Sequence, residues 1–161
     1  MNLSVEVNGV PTSVEVEPRE LLAHVLRDEL QLPSVHVACD TSTCGACTVL
    51  LDNVPVKSCA VLGVMAGERA VTTAEGLSDD AQARAISDAI GRDGVLPCGY
   101  CAPAVLLVAR ALLRHNARPS AEEVRRGLSG TMCRCTGYEP VVEVILAVAN
   151  GANSATEAGV A

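Results

Sequence analysis

Aromatic residues are nearly absent from this sequence: Tyr100 and Tyr138 are the only ones, with no Phe and no Trp. The core must therefore be assembled from Val, Leu, Ile and Ala. At 49% hydrophobic composition such a core is affordable, which excludes a chain disordered throughout. Positive charge is also scarce. The 12 Lys+Arg against 19 Asp+Glu leave a net charge of -7, and Lys57 is the only lysine. That balance argues against a nucleic-acid partner, because proteins that hold a phosphate backbone carry clustered basic surface. No apolar run approaches the roughly 20 residues needed to cross a bilayer, so membrane insertion is not expected. The start, Met1-Asn2-Leu3-Ser4-Val5-Glu6, lacks the basic and apolar regions of a secretory signal and any twin-arginine pair. A cytoplasmic location is expected. Missing too are a nucleophile–base pair, a Gly-rich phosphate loop after a strand, and paired carboxylates. No catalytic residue is assigned, and substrate bonds are expected to be broken elsewhere.

The 161 residues suit one large or two small domains. Asn2 to Asn8 alternates apolar and polar, Asn8-Gly9 supplies a type I′ turn, and Thr12 to Glu17 alternates again, predicting a β-hairpin. From Pro18 to Leu30 the period becomes helical, with Leu21, Leu22, Val25, Leu26 and Leu30 on one face, until Pro33. A cysteine-rich loop follows, then strands over Thr48–Leu51, Val54–Lys57 and Arg69–Thr73, the first two joined at Asp52-Asn53. After Glu75-Gly76 the strand signals stop. Helices are predicted over Asp79–Ile90 (ending at Gly91), Ala102–Arg114 (Pro103 in the first turn), Ser120–Leu128 (a Ser120/Glu123 capping box) and Pro140–Ala149. The reading is an α+β chain, with a small strand-rich domain at 1–76 and a four-helix domain at 77–161. The small polar tail, 150–161, is expected to be disordered.

What is plentiful is cysteine: eight, at 39, 44, 47, 59, 98, 101, 133 and 135. In a reducing compartment such clusters are metal ligands more often than disulfides. Cys39, Cys44 and Cys47 form C-x4-C-x2-C with Cys59 following, which is plant-type [2Fe–2S] spacing. A cluster of that kind leaves about -2 of charge in a poorly hydrated place, so backbone N–H groups must converge on it. Gly45 and Ala46 are small enough to let the chain wrap closely, and Gly45 can adopt positive φ. Zinc is the other chemistry for C-x2-C, but this run suits it poorly. The second set is Cys98-Gly99-Tyr100-Cys101 with Cys133-Arg134-Cys135. Its C-x2-C half is open to zinc, to a redox pair or to iron–sulfur. Both halves lie just before predicted helices, whose N-termini favour an anionic centre. That placement favours a second cluster, with zinc as the alternative.

The run from Cys39 to Leu51, Cys98-Gly99-Tyr100-Cys101, and Leu128-Ser129-Gly130-Thr131-Met132-Cys133-Arg134-Cys135-Thr136-Gly137-Tyr138 together resemble the xanthine oxidase / carbon monoxide dehydrogenase family of molybdenum hydroxylases. The likeness runs from the hairpin to Ala149. It implies a small iron–sulfur subunit with a β-grasp, plant-ferredoxin-like domain followed by a four-helix-bundle domain. It implies one [2Fe–2S] cluster on Cys39, Cys44, Cys47 and Cys59 and another on Cys98, Cys101, Cys133 and Cys135, with Cys135 nearest a pterin. Molybdenum–pterin and FAD would belong to separate large and medium subunits, in a heterotrimer or its dimer. Electrons would pass from the molybdenum centre through the helical-domain cluster, then the plant-type cluster, to FAD. Three departures stand out: Pro97 replaces the usual Gln, Ala102-Pro103-Ala104-Val105 replaces Thr-Pro-Gly-Met, and Ala38 replaces a Gly. They bear on contacts to the pterin, Pro97 above all, and remove no ligand.

The remaining candidates have plainer readings. His24, His36 and His115 fall outside the ligand motifs and are expected to serve packing or surface roles. Tyr100 and Tyr138, both inside cysteine motifs, could shield a cluster from water. Arg134 could offset cluster charge, while Arg125 and Arg126 suit a solvated helix face. The rival to an electron-transfer subunit is a two-site zinc or redox-sensing module, which would be colourless and free of acid-labile sulfide.

Overall fold

Alternation of Leu3, Val5 and Val7 with polar residues gives β1 (Asn2–Val7) one buried face, and a two-residue turn returns the chain as β2 (Val10–Glu15). Asn8 and Gly9 both take positive φ, 53° and 79°, as that turn requires. The computed structural model describes residues 1–151, so the tail beyond Gly151 lies outside the described residues. β3 (Thr48–Leu51), β4 (Val54–Lys57) and β5 (Ala70–Thr72) complete a five-stranded sheet in the order β2-β1-β5-β3-β4. Its β1–β5 pair is parallel and the rest antiparallel, which makes the sheet mixed.

The helix expected from Pro18 is much shorter. Glu20 to Leu22 give their backbone groups to a bridge instead: Leu22 N–H donates to Val61 O (2.8 Å) and Gly63 N–H to Glu20 O (2.7 Å). Winding begins only at α1 (Leu22–His24) and continues as a π-turn over Val25–Glu29. Leu22, Val25 and Leu26 are fully buried under the sheet with Val49, Leu51 and Val71.

β3 is buried on both faces, and this decides how the two halves meet. Val49 and Leu51 face α1, while Leu50 faces Leu77, Ala83 and Leu107 on the helical side. The helical half comprises α2 (Ala81–Arg92), α3 (Ala102–His115), α4 (Ala121–Leu128) and α5 (Glu139–Ala149), packed around Ile86, Val105, Val124, Val142 and Ile145. Each such buried aliphatic side chain contributes about 1.5–3 kcal/mol, which is how a core without rings holds.

Two of the helix start signals are as expected. Pro103 sits in the first turn of α3 and the Ser120/Glu123 capping box is formed, while α2, expected from Asp79, starts at Ala81 because Asp80 caps it by accepting from Ala83 N–H (2.8 Å). One stop signal differs. α2 runs through Gly91 to Arg92, and the chain turns at Gly94, whose φ is 61°. Gly91 inside the helix costs only about 1 kcal/mol against Ala, whereas the left-handed position needs a glycine. No described helix is long and apolar enough to cross a membrane.

Candidate metal centres

The first cysteine loop spans the gap between the π-turn and β3. Cys47 is buried (2% exposed) immediately before β3, and Cys59 lies in a 3₁₀ turn just after β4, so two sheet strands fix one side of the loop. Cys39 and Cys44 form the outer side. The Cys44 N–H points at Cys39 Sγ (3.4 Å), and with a further backbone donor from Thr41 it draws the Cys39 thiol down to about 5. Ser42 and Thr43 hydroxyls lie 3.5 Å from Cys59 Sγ and 3.7 Å from Cys39 Sγ. Burial pushes Cys47 up to about 11, reinforced by the adjacent Cys59 thiol.

The second set assembles in the helical half. Leu96 to Gly99 is a turn closed by Gly99 N–H to Leu96 O (3.0 Å), with exposed Pro97 at its second position. There the fixed φ of proline suits the turn and presents Cys98. Cys101 caps the N-terminus of α3 and is buried (6% exposed); burial and the neighbouring Cys133 thiol push it up to about 12. Burial opposes ionisation of Cys133 as well, but backbone donors from Cys135 and Thr136 outweigh it and hold that thiol low. Cys98 and Cys135 are exposed and meet at 3.9 Å between their sulfurs. Tyr138, just before α5, takes φ 72° and ψ -38°, a γ-turn-like backbone closed by Glu139 N–H to Gly137 O (3.0 Å) that costs a bulky residue about 1–3 kcal/mol. Its hydroxyl accepts from Cys133 N–H (2.7 Å), bracing the loop that carries Cys133 and Cys135.

All eight cysteines are free thiols, and thiol meets thiol at Cys39 with Cys44, Cys47 with Cys59, Cys98 with Cys135 and Cys101 with Cys133, with Cys135 also against Cys133. Among the described residues no three or more His, Cys, Asp or Glu close on a single metal ion. Two pairs per set fit a binuclear centre, in which each iron takes two thiolates. The raised thiols at Cys47 and Cys101 are also those a seated cation would ionise. A third observation fits as well. Thr131 Oγ1, buried where the two loops meet, has no hydrogen-bond partner among the described residues and is free to donate to a bound acceptor.

The two loops touch through backbone. Met132 N–H, one residue before Cys133, donates to Cys44 O at 2.7 Å. A Cβ built on Gly45, whose φ is 71°, would come within 2.1 Å of Gly130 O. Only glycine permits that approach. His36 adds a second link that sequence reading missed. Its ring stacks on Tyr100 at 4.3 Å and its Nδ1 lies 2.7 Å from Tyr100 O, while Tyr100 hydroxyl donates to Val37 O (3.3 Å). Tyr100 and Tyr138 are 44% and 37% exposed, so both rings brace loops at the surface and neither sits in the core. Lys57 was missed too: its Nζ donates to Ser42 O (2.9 Å) and Thr43 O (3.1 Å) of the first loop. A lone lysine gives no local pattern that could have revealed this. Arg125 does more than face solvent, tying α4 to α5 through both oxygens of Glu139 (2.6 and 3.2 Å). Arg134 is exposed, and His24 makes a surface pair with Asp28.

Comparison with known proteins agrees with this geometry. Residues 5–78 match the family described as 2Fe-2S iron-sulfur cluster binding domain, and residues 73–146 match [2Fe-2S] binding domain. The chain is 42% identical over 142 residues to the 6-hydroxypseudooxynicotine dehydrogenase complex subunit beta of Paenarthrobacter nicotinovorans, covering 88% of this chain and 89% of that one. It is 33% identical over 148 residues to the xanthine dehydrogenase iron-sulfur-binding subunit of Escherichia coli, covering 91% and 92%. A chain of the crystal structure of quinoline 2-oxidoreductase from Pseudomonas putida 86 superposes with a TM-score of 0.87 at 41% identity, covering 94% and 95%.

Proposed function

The chain belongs to the small iron–sulfur subunits of the molybdenum hydroxylase family, and from that membership we propose that it is the electron-transfer subunit of a heteromeric molybdenum hydroxylase with two [2Fe–2S] clusters. Cys39, Cys44, Cys47 and Cys59 would hold one, and Cys98, Cys101, Cys133 and Cys135 the other. When bound, the clusters would supply one-electron chemistry between a molybdenum–pterin centre on a large subunit and FAD on a medium subunit. In this reading 1–76 is the ferredoxin-like domain and 77–161 the helical domain, with α2 to α5 as a four-helix bundle. The assembly is a heterotrimer or its dimer, and its location is cytoplasmic.

The protein's own residues bind and orient. Backbone N–H groups of Cys44 and Cys135 point at Cys39 and Cys133 sulfur and stabilise the thiolate forms. Buried Cys47 and Cys101 keep the inner thiols from water. Exposed Cys98 and Cys135 give the second set an open edge, the side expected to face the pterin with Cys135 foremost. Pro97 beside that edge offers a pterin no side-chain hydrogen bond and no backbone donor.

One observation carries the proposal: eight free thiols meet as four pairs in two sets, and the two sets are joined at Met132 N–H to Cys44 O. Iron and acid-labile sulfide analysis, with EPR of the reduced protein, tests it. Two binuclear signals are expected. One centre after full reconstitution, or stoichiometric zinc in a colourless protein, would sink it.

A further inference from the structure

Lys57 closes β4 two residues before Cys59, and it is the only lysine in the chain. Among the described residues no carboxylate pairs with it; its ammonium instead converges on Ser42 O and Thr43 O. A compact charge with rotatable donors can grip two successive carbonyls, which a planar guanidinium does less well. The grip has a direction. The Thr43 carbonyl and the Cys44 N–H are the two ends of one trans peptide, and the Cys44 N–H points at Cys39 Sγ (3.4 Å). The ammonium therefore pulls on the oxygen end of a dipole whose hydrogen end faces sulfur. Hydrogen bonds in series polarise one another, so the charge strengthens the N–H···S contact while fixing its angle. The same grip steadies Ser42, held at φ 54°, with its hydroxyl against Cys59 Sγ. Hydrogen bonds to cluster sulfur favour the more negative, reduced state.

We propose that Lys57 is a positioning residue that sets the reduction potential of the centre on Cys39, Cys44, Cys47 and Cys59, acting through the Thr43–Cys44 peptide. This role rests on the proposed function, because it needs a cluster at that loop. It belongs to one centre only; Lys57 makes no hydrogen bond to the Cys98–Cys135 set.

The test is an EPR-monitored redox titration of the complete complex carrying wild-type, Lys57→Met, Lys57→Arg or Lys57→Gln chains, with the second centre as internal reference. In Lys57→Met the reduced-to-oxidised ratio of the first centre at fixed potential should fall about tenfold, which is about 59 mV for one electron. The second centre should stay within about twofold, and Lys57→Arg, which keeps the charge with a poorer grip on the two carbonyls, should recover only part of the loss. An unchanged first centre in Lys57→Met would overturn the proposal. So would lower cluster content with unchanged potential in the clusters that remain, since that is a structural role alone. If Lys57→Met fails to assemble the centre, Lys57→Gln keeps a donor without charge. A fall in its ratio supports the proposal, and an unchanged ratio overturns it. A wild-type protein with no binuclear signal from the first loop would instead overturn the cluster assignment itself.

Discussion

The two cysteine sets solve the same problem with different scaffolds. The first is recessed: none of Cys39, Cys44, Cys47 and Cys59 is fully exposed, and strands β3 and β4 carry its inner side. The second is open along one edge, with Cys98 and Cys135 exposed and only Cys101 fully buried, at the N-terminus of α3. A sheet holds a loop by strand pairing that continues on both sides of it. Helix termini hold one by caps and turns, which leaves the outer residues at the surface. The recessed set has a lysine gripping its loop, whereas the open set leaves two thiols at the surface. Met132, whose N–H makes the inter-loop hydrogen bond, has 61% of its surface exposed.

The largest effect should come from removing a thiol at the open edge. Cys135→Ser is expected to abolish the second EPR signal and leave the first intact on chemical reduction. In the complete complex, substrate should then reduce the first centre far more slowly. Rapid reduction of the first centre by substrate in this variant would reverse the order in which the two sets are placed. The mirror variant, Cys44→Ser, should spare reduction of the second centre and block onward transfer to flavin.

Gly45→Ala asks whether the two sets are independent. The added Cβ would meet Gly130 O at 2.1 Å, on a backbone with φ 71°. Positive φ on a non-glycine residue and overpacking together cost about 2–5 kcal/mol. Chemical unfolding should register that loss, and both EPR signals should broaden because Gly130 lies three residues before Cys133. A change confined to the first signal would show that the two loops do not lean on each other.

A smaller effect belongs to the contact between α2 and α3. Burial alone would raise Asp80, but the Ala83 N–H and the Arg110 guanidinium at 2.6 Å outweigh it and hold the carboxyl below its ordinary range. A carboxylate depressed in the folded state stabilises the fold at pH values above its unfolded pKa of roughly 3.9, and that contribution is lost as pH falls through the folded value. Asp80→Asn keeps an equally good N-cap and loses the charge pair. Its stability deficit should be about 1 kcal/mol at neutral pH and should vanish in acid. A deficit independent of pH would refute the charge-pair account.

Pro97→Gln should do least. The residue is exposed in a turn already closed by Gly99 N–H to Leu96 O, so releasing its φ should cost under about 1 kcal/mol. Both EPR signals should persist. Loss of the second would show that the stiff turn, rather than the cysteines alone, holds Cys98 in place.

Local signals carried far in this chain. The Asn8-Gly9 and Asp52-Asn53 turns, the Ser120/Glu123 box and Pro103 each act within a few residues, and each formed where the pattern placed it. The span around α1 departs from the expected helix because its period resembles a helix while its Leu22 N–H and Glu20 carbonyl pair with Val61 O and Gly63 N–H. Lys57 and His36 gave no signal because their partners lie in other segments: the first cysteine loop for Lys57 and Tyr100 for His36.

By itself the sequence supplies eight cysteines in two spaced groups and the metal chemistry those spacings suit, because residue type and spacing are written in chain order. Only the tertiary structure decided which thiols pair, which set is recessed and which is open, and that the two loops meet at Met132 N–H to Cys44 O. Those facts depend on β3 being buried on both faces, with Leu50 packed on Leu107 of α3. That packing brings residues some ninety positions apart into hydrogen-bond contact, and no local pattern specifies it.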